Sequence, residues 1–310
     1  MDIELRSKVD LLSENYKEIK RELKTDGDLL NHFEALLYGL TDRYLNIDKI
    51  KEIRQYIKSK KLNCGIKENF EKIFSIMLDN REDYSEVYDN TLSLYSFLIS
   101  KGFNNTNKTI FAAFILSKRF KGEELNRRVL KLIKIKDSLN SSDYLSCANL
   151  ATTNKEIYEI KKEVFKVREK LKDLNFNWES NNDSFILSLL LDNDNLERRT
   201  EMAVNIAKEV KKVFSVAPTK ILPLLGLATL LIEDEKIFIT EIKDVYLALK
   251  KTKGYKFFVS KEFRLILSLS VVINKYAEEV KADLIDININ DEINILLALE
   301  EQTVFSIACL

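Results

Sequence analysis

Residues 95–116, YSFLISKGFNNTNKTIFAAFIL, decide the fold of this chain. They have the pattern of one helix that ends, a polar corner, and a second helix that begins. Gly102 stands where helices commonly stop in the left-handed conformation, and Phe103 can supply the apolar contact that accompanies such a stop. This stretch therefore predicts two helices joined by a short corner.

The same pattern recurs along the chain. A corner with an aromatic or leucine residue is followed by polar cap residues, and then by an apolar helix with small residues near its middle. The corners fall at positions 62, 103, 139, 176, 214 and 257, at steps of 41, 36, 37, 38 and 43 residues. Such a period is typical of stacked helix pairs, because one pair cannot bury both of its apolar faces alone. The small residues are expected where helices approach closely, and they include Ala113, Ala148, Ser188 and Gly226.

We therefore predict an all-α fold of about 14 helices, stacked as antiparallel pairs in an α-solenoid-like arrangement with degenerate repeats of about 36–43 residues. The alternative is a non-repeating helical bundle, because two helices and two turns occupy a similar length in any all-α protein. We expect a single domain over residues 1–310. Within it, residues 1–80 are predicted to be N-terminal helices, residues 81–260 helix-pair repeats and residues 261–310 C-terminal capping helices.

The composition favours long helices over sheets. The chain has 310 residues, of which 45% are hydrophobic and 32% charged, but only seven are glycine and two are proline. Tight hairpins and phosphate-binding loops both depend on glycine, so the composition disfavours β-rich and nucleotide-binding folds. The 49 basic and 49 acidic residues balance, so no global field favours nucleic acid or an anionic membrane.

The sequence offers few residues for catalysis or metal binding. His32 is the only histidine, which excludes metal sites with two histidines. It is expected on the side of the second helix, partly exposed. We therefore predict no catalytic residues, no metal and no cofactor.

The cysteines and the apolar segments predict a cytoplasmic protein. Cys64, Cys147 and Cys309 lie far apart, form no CxxC pair, and are expected to be reduced and mostly buried. Residues 1–6 lack the apolar core of a signal peptide. The longest apolar run, residues 221–232, is too short to span a bilayer and is predicted to be a buried helix, so no membrane partner is expected.

The charges are unevenly distributed. Residues 118–136 carry eight basic residues against Glu123 and Glu124, a net charge of +6, whereas residues 276–310 carry eight acidic residues against Lys281, a net charge of −7. Helical spacing puts Arg127, Lys131 and Lys134 on one face. The basic region is either a solvated helix surface or a surface that binds anions or RNA.

Some short segments resemble a known family. They are Gly102-Phe103 followed by Ala112-Ala113, and Ser141-Ser142-Asp143-Tyr144. In these segments and in overall length the chain resembles an uncharacterised family of bacterial Firmicutes proteins, known only as a domain of unknown function. The resemblance covers most of the chain and implies no active site or ligand.

The function that we favour from the sequence is a non-catalytic scaffold that binds a protein or peptide, because stacked helix pairs expose long surfaces for partners. The alternative is a module that binds nucleic acid or another anion through residues 118–136. An enzyme of unfamiliar type is the third hypothesis.

Overall fold

The computed structural model describes residues 1–23, 27–40, 43–60, 69–176, 182–192, 195–256 and 259–279. In these residues the chain forms α-helices and no strand, which confirms the predicted all-α class. The helices are α1 (Ile3–Glu22), α2 (Asp28–Gly39), α3 (Ile47–Ser59), α4 (Asn69–Leu78), α5 (Tyr84–Ser100), α6 (Asn107–Arg119), α7 (Gly122–Leu139), α8 (Tyr144–Thr152), α9 (Ile157–Asp173), α10 (Asn182–Leu189), α11 (Leu196–Phe214), α12 (Leu222–Ala228), α13 (Glu235–Lys251) and α14 (Lys261–Glu279). A short 3₁₀ helix, Pro218–Ile221, precedes α12.

Contacts divide the chain into two compact units. Residues 46–169 form one unit, and residues 1–45 together with residues 170–310 form the other. In the first, α5 packs on α6, α7 packs on α8, and α6 packs on α8. In the second, α1 packs on α2, α13 packs on α14, and α10 packs on α12. Helices close in sequence thus pack in pairs. That the chain forms a single domain and that its helix pairs form a solenoid are still predictions.

Two kinds of helix alternate from α5 onward. The long helices α5, α7, α9, α11 and α13 are amphipathic and bury one face. The helices that follow α5, α7 and α13 are buried over most of their length: every residue of α8 is buried, as are residues 109–117 of α6 and residues 263–275 of α14. A helix that is apolar on all sides must be covered on all sides, so these helices lie inside their units and the amphipathic ones cover them.

The corners between helices have a common geometry. The backbone adopts positive φ at Asn140, Asn175, Ser215, Gly102 and Gly254, each within three residues of the end of a long helix. At the end of α5, Phe103 N donates to Leu98 O at 3.2 Å, and Gly102 N donates to Ile99 O at 3.0 Å. These two bonds satisfy carbonyl groups that the helix end leaves open. The predicted stop at Gly102 is confirmed.

Small residues allow the buried helices to approach closely. A Cβ atom placed on Gly226 of α12 would lie 1.9 Å from Ser188 Oγ of α10. The Ser188 hydroxyl donates to Phe185 O at 2.7 Å, and the Thr229 hydroxyl donates to Gly226 O at 2.7 Å. Each buried hydroxyl is thereby satisfied within its own helix, so a polar residue can occupy an apolar interior without an unpaired donor.

The prediction that His32 is partly exposed is wrong. His32 is fully buried, within a stretch of α2 whose residues 30–39 are all buried. Its ring stacks on Tyr16 with centroids 3.9 Å apart, and Tyr255 lies against it at 4.4 Å. Aromatic rings cover the imidazole, so tertiary packing overrides the usual preference of histidine for partial exposure.

Several predicted features can be compared directly with the structure. Helices form where N-terminal helices are predicted, beginning with α1, and Cys147 is buried as expected. The apolar run at residues 221–232 forms a short buried helix, α12. None of the described helices has the length and apolar character needed to cross a membrane. The corners at positions 62 and 257, Cys64, Cys309 and the part of the predicted capping helices after residue 279 lie outside the described residues.

Gly226→Ala should destabilise the protein by about 1–3 kcal/mol, because the new methyl group overlaps Ser188 in a packed interior. The matched control is Gly39→Ala, since a Cβ atom there would meet nothing closer than 3.6 Å. We expect this control to leave stability unchanged or slightly raised. Chemical denaturation of both variants measures the difference, and equal stabilities would show that α10 and α12 do not approach as described.

Candidate functional site

The basic region found in the sequence lies mostly on α7, and its cations have different surroundings. Arg128 is only 9% exposed, and its guanidinium donates to the carbonyl oxygens of Ala151 and Thr153. Lys131 Nζ donates to the same Thr153 oxygen at 2.6 Å. Two cations therefore cap the carboxyl end of α8, where the helix leaves carbonyl groups open and a negative partial charge.

The surroundings of Lys131 change its protonation. Burial lowers the pKa of Lys131 to about 8, and the nearby charge of Arg128 acts in the same direction. Glu156 and Glu159 oppose the shift to a smaller extent. The charged form loses hydration in the folded protein, and the neighbouring guanidinium adds repulsion.

Most of the other cations of this region have partners as well. Arg127 donates to Glu124 at 2.7 Å, Lys121 pairs with Glu86 at 2.8 Å, and Lys136 pairs with Asp137 at 2.8 Å. The predicted face of Arg127, Lys131 and Lys134 is therefore not a row of equivalent solvated cations. The sequence contained one sign of this, because Glu124 lies four residues before Arg128, at the spacing of a helical ion pair.

A groove lies between α5 and α7, inside the unit of residues 46–169. It encloses about 360 Å³. Its apolar lining consists of Leu94, Phe97, Phe120, Leu125 and Val129. The side chain of Phe97 is 42% exposed, so part of its ring is accessible from the groove.

Arg128 and Lys131, which cap the end of α8, are called the basic cap below, and one contact joins this basic cap to the groove. The Arg128 guanidinium lies over the ring of Phe120, with 5.1 Å between its Cζ atom and the ring centroid. Phe120 lies at the corner between α6 and α7 and lines the groove. The cation that caps α8 therefore also holds one apolar wall of the groove in place.

The rim of the groove is polar. Asn90 and Ser93 of α5 and Asn126 of α7 line it, together with Lys121 and Gly122. The Ser93 hydroxyl donates to Asp89 O at 3.0 Å, within its own helix. The groove thus has an apolar floor with amide groups on both sides, an arrangement suited to holding an apolar side chain and the polar backbone beside it.

The angular position of Phe97 around the axis of α5 is a signal in the sequence that the predictions above did not use. The buried residues of α5 are Val87, Tyr88, Thr91, Leu94, Tyr95 and Leu98. Phe97 falls beside that stripe and not within it, on the same side as Asn90 and Ser93. Because this aromatic residue also lines a groove, it is a candidate for an interaction site.

A second concavity lies beside α1, with a volume of about 800 Å³, and it is lined mainly by charged residues, including Glu4, Arg6, Asp10 and Glu14. No three histidine, cysteine, aspartate or glutamate side chains form a potential metal group among the described residues. His32 and Cys147 are both fully buried.

Arg128→Met should destabilise the protein by about 1–3 kcal/mol, because the carbonyl oxygen of Ala151 would lose its charged donor and that of Thr153 would keep only Lys131. Arg127→Met is the matched control, since the Arg127 side chain is 68% exposed and its ion pair lies in solvent. We expect the control to melt like the wild type. Equal melting temperatures for the two variants would contradict a capping role for Arg128.

The depressed pKa of Lys131 predicts a dependence of stability on pH. The folded protein binds its proton more weakly than the unfolded chain, so the charged amine is a cost to folding at neutral pH. This cost is present in full below pH 8 and disappears as the pH rises from about 8 towards the unfolded value of about 10.4. Relative to Lys131→Met, the wild type should therefore gain stability between pH 8 and pH 10. Denaturation curves at these pH values measure the effect, and a constant difference would contradict it.

Comparison with known proteins gives one match. No curated protein and no solved structure matches the chain. A family model described as "Protein of unknown function (DUF4003)" matches residues 15–302, which confirms the resemblance to an uncharacterised family. Since this match covers most of the chain and contains both the groove and the basic cap, the protein belongs to the DUF4003 family.

Proposed function

We propose that this protein is a non-catalytic helical scaffold that binds a protein or peptide through the groove between α5 and α7. The observation that carries the proposal is the part-exposed ring of Phe97 in an apolar groove with a polar rim. Exposed aromatic side chains in concave sites are frequent anchors of protein–protein interfaces. This function requires no catalytic group.

The position of the groove supports the proposal. α5 and α7 are the amphipathic partners of the buried helices α6 and α8, which pack against each other. The outward-facing residues of α5 and α7 are therefore not needed to fill the core. Because part of the Phe97 ring is in contact with water, its exposure is unfavourable in the free protein. A bound partner would remove that surface from water and add a favourable contribution to binding.

The main alternative is a module that binds nucleic acid or another anion through residues 118–136. It draws support from the net charge of the segment and from Lys134, which is exposed. Binding of a polyanion would, however, compete with the bonds of Arg128 and Lys131 to the end of α8 and with the Arg127–Glu124 pair. We therefore favour the peptide scaffold.

A reducing compartment fits this proposal. Cys147 is fully buried in the unit of residues 46–169. The three cysteines are also far apart in the sequence and form no CxxC pair, so we propose a cytoplasmic location.

Selection of displayed random peptides on the full chain should yield binders that need Phe97. For such a peptide, Phe97→Ala should weaken binding by about 5- to 30-fold, the range typical of an anchor residue. Phe165→Ala is the control, because Phe165 is 65% exposed but is not among the residues that line the groove. We expect the control to bind like the wild type in calorimetry.

Two results would contradict the scaffold. One is that selection enriches no peptide, or only peptides that are indifferent to Phe97. The other is submicromolar binding of RNA or DNA at about 150 mM salt that is lost when Arg127 and Lys134 are changed to Glu, which would favour the anion-binding alternative.

A further inference from the structure

One end of the groove is crossed by an ion pair. Among the described residues that line the groove, Lys121, at the start of α7, is the one that carries a charge. Its Nζ lies 2.8 Å from Glu86 Oε1 of α5, and the two side chains are 67% and 55% exposed. The carboxylate raises the pKa of Lys121, so the amine carries its positive charge at neutral pH.

The ion pair of Lys121 and Glu86 is open to exchange. A pair as exposed as this one contributes little to stability, because water and salt screen it. A carboxylate from a bound partner could therefore replace that of Glu86 with little loss to the fold. Together Lys121 and Glu86 carry no net charge, but Lys121 lines the groove and Glu86 is not among the lining residues, so a partner in the groove meets the cation and a carboxylate suits it better than a basic group.

The two asparagines suggest the conformation of the partner. Asn90 lies on α5 and Asn126 on α7, both are exposed, and neither side chain makes a hydrogen bond to another described residue. A primary amide offers two donors and an acceptor, which match the carbonyl and N–H groups of an extended backbone. A helical partner already satisfies its own backbone groups and is about 10 Å wide, so it would use these amides poorly.

We propose that the groove binds an extended peptide. This peptide carries an apolar side chain that fits the apolar floor of the groove and, close to it, a carboxylate that pairs with Lys121. Glu86 occupies the place of that carboxylate when no peptide is bound. The apolar side chain lies against Phe97 and Val129, and Asn90 and Asn126 hold the peptide backbone. This inference rests on the proposed scaffold function and adds the chemistry of its partner.

The test uses the full chain and a displayed library of random 12-residue peptides, followed by affinities of synthetic peptides from the selected pool. On the wild type, we expect peptides with an apolar residue and an acidic residue at a fixed spacing. Glu86→Gln frees Lys121 and should tighten binding of these peptides by about 2- to 5-fold, the range expected for an exposed ion pair. Lys121→Glu should weaken it at least as much and should select basic residues in place of acidic ones.

Control variants separate recognition from folding. Lys134→Glu changes an exposed lysine of α7 that does not line the groove, and it should leave affinity unchanged. The double variant Glu86→Lys with Lys121→Glu keeps an ion pair of reversed polarity. It should melt like the wild type but prefer basic peptides.

The outcomes separate this inference from the scaffold function. Selected peptides that need Phe97 but show no acidic preference, or that bind Glu86→Gln no better than the wild type, would overturn the inference and leave the scaffold standing. A wild-type pool rich in basic residues would also overturn it. Failure to select any peptide would remove both proposals.

Discussion

Close contact between buried helices is the constraint on which the rest of this structure depends. α10 and α12 meet where Ser188 faces Gly226, and no side chain fits between them. α6 and α8 are likewise buried along almost their whole length. Helices this close need small residues at the contact, and any hydroxyl there must bond within its own helix. The recurring small residues of the apolar helices meet this requirement.

This constraint leaves the outward faces of the amphipathic helices available for function. Buried helices must be apolar on all sides, so their sequences have little freedom to change. The helices that cover them need only one apolar face, and the opposite face can carry residues such as Phe97 and Asn126. Arg128 connects the buried helices with the groove on the helices that cover them, because it caps the buried helix α8 and lies over Phe120 of the groove.

Several features of the fold and one element of the site could be predicted from residues alone. Apolar periodicity and the scarcity of glycine and proline indicated helices, and Gly102 with Phe103 marked a corner that the structure confirms. The basic segment that contains Lys121 and Arg128 was also visible. The role of this segment could not be predicted, because the net charge of a segment does not show which of its cations form ion pairs or hydrogen bonds. The burial of His32 could not be predicted, because the rings that cover it lie on other elements: Tyr16 on α1, and Tyr255 more than 200 residues away in the sequence.

By itself, the sequence determined that the chain is helical, where a long helix stops, and which helices are apolar enough to be buried. These properties depend on local rules, because propensity, capping and periodicity act within a few residues. Only the tertiary structure decided that Asn90 and Phe97 share a groove with Leu125 and Asn126, and that Arg128 serves the end of α8. Such contacts join residues about 20 to 40 positions apart, and they arise when helix pairs pack on one another to remove apolar surface from water.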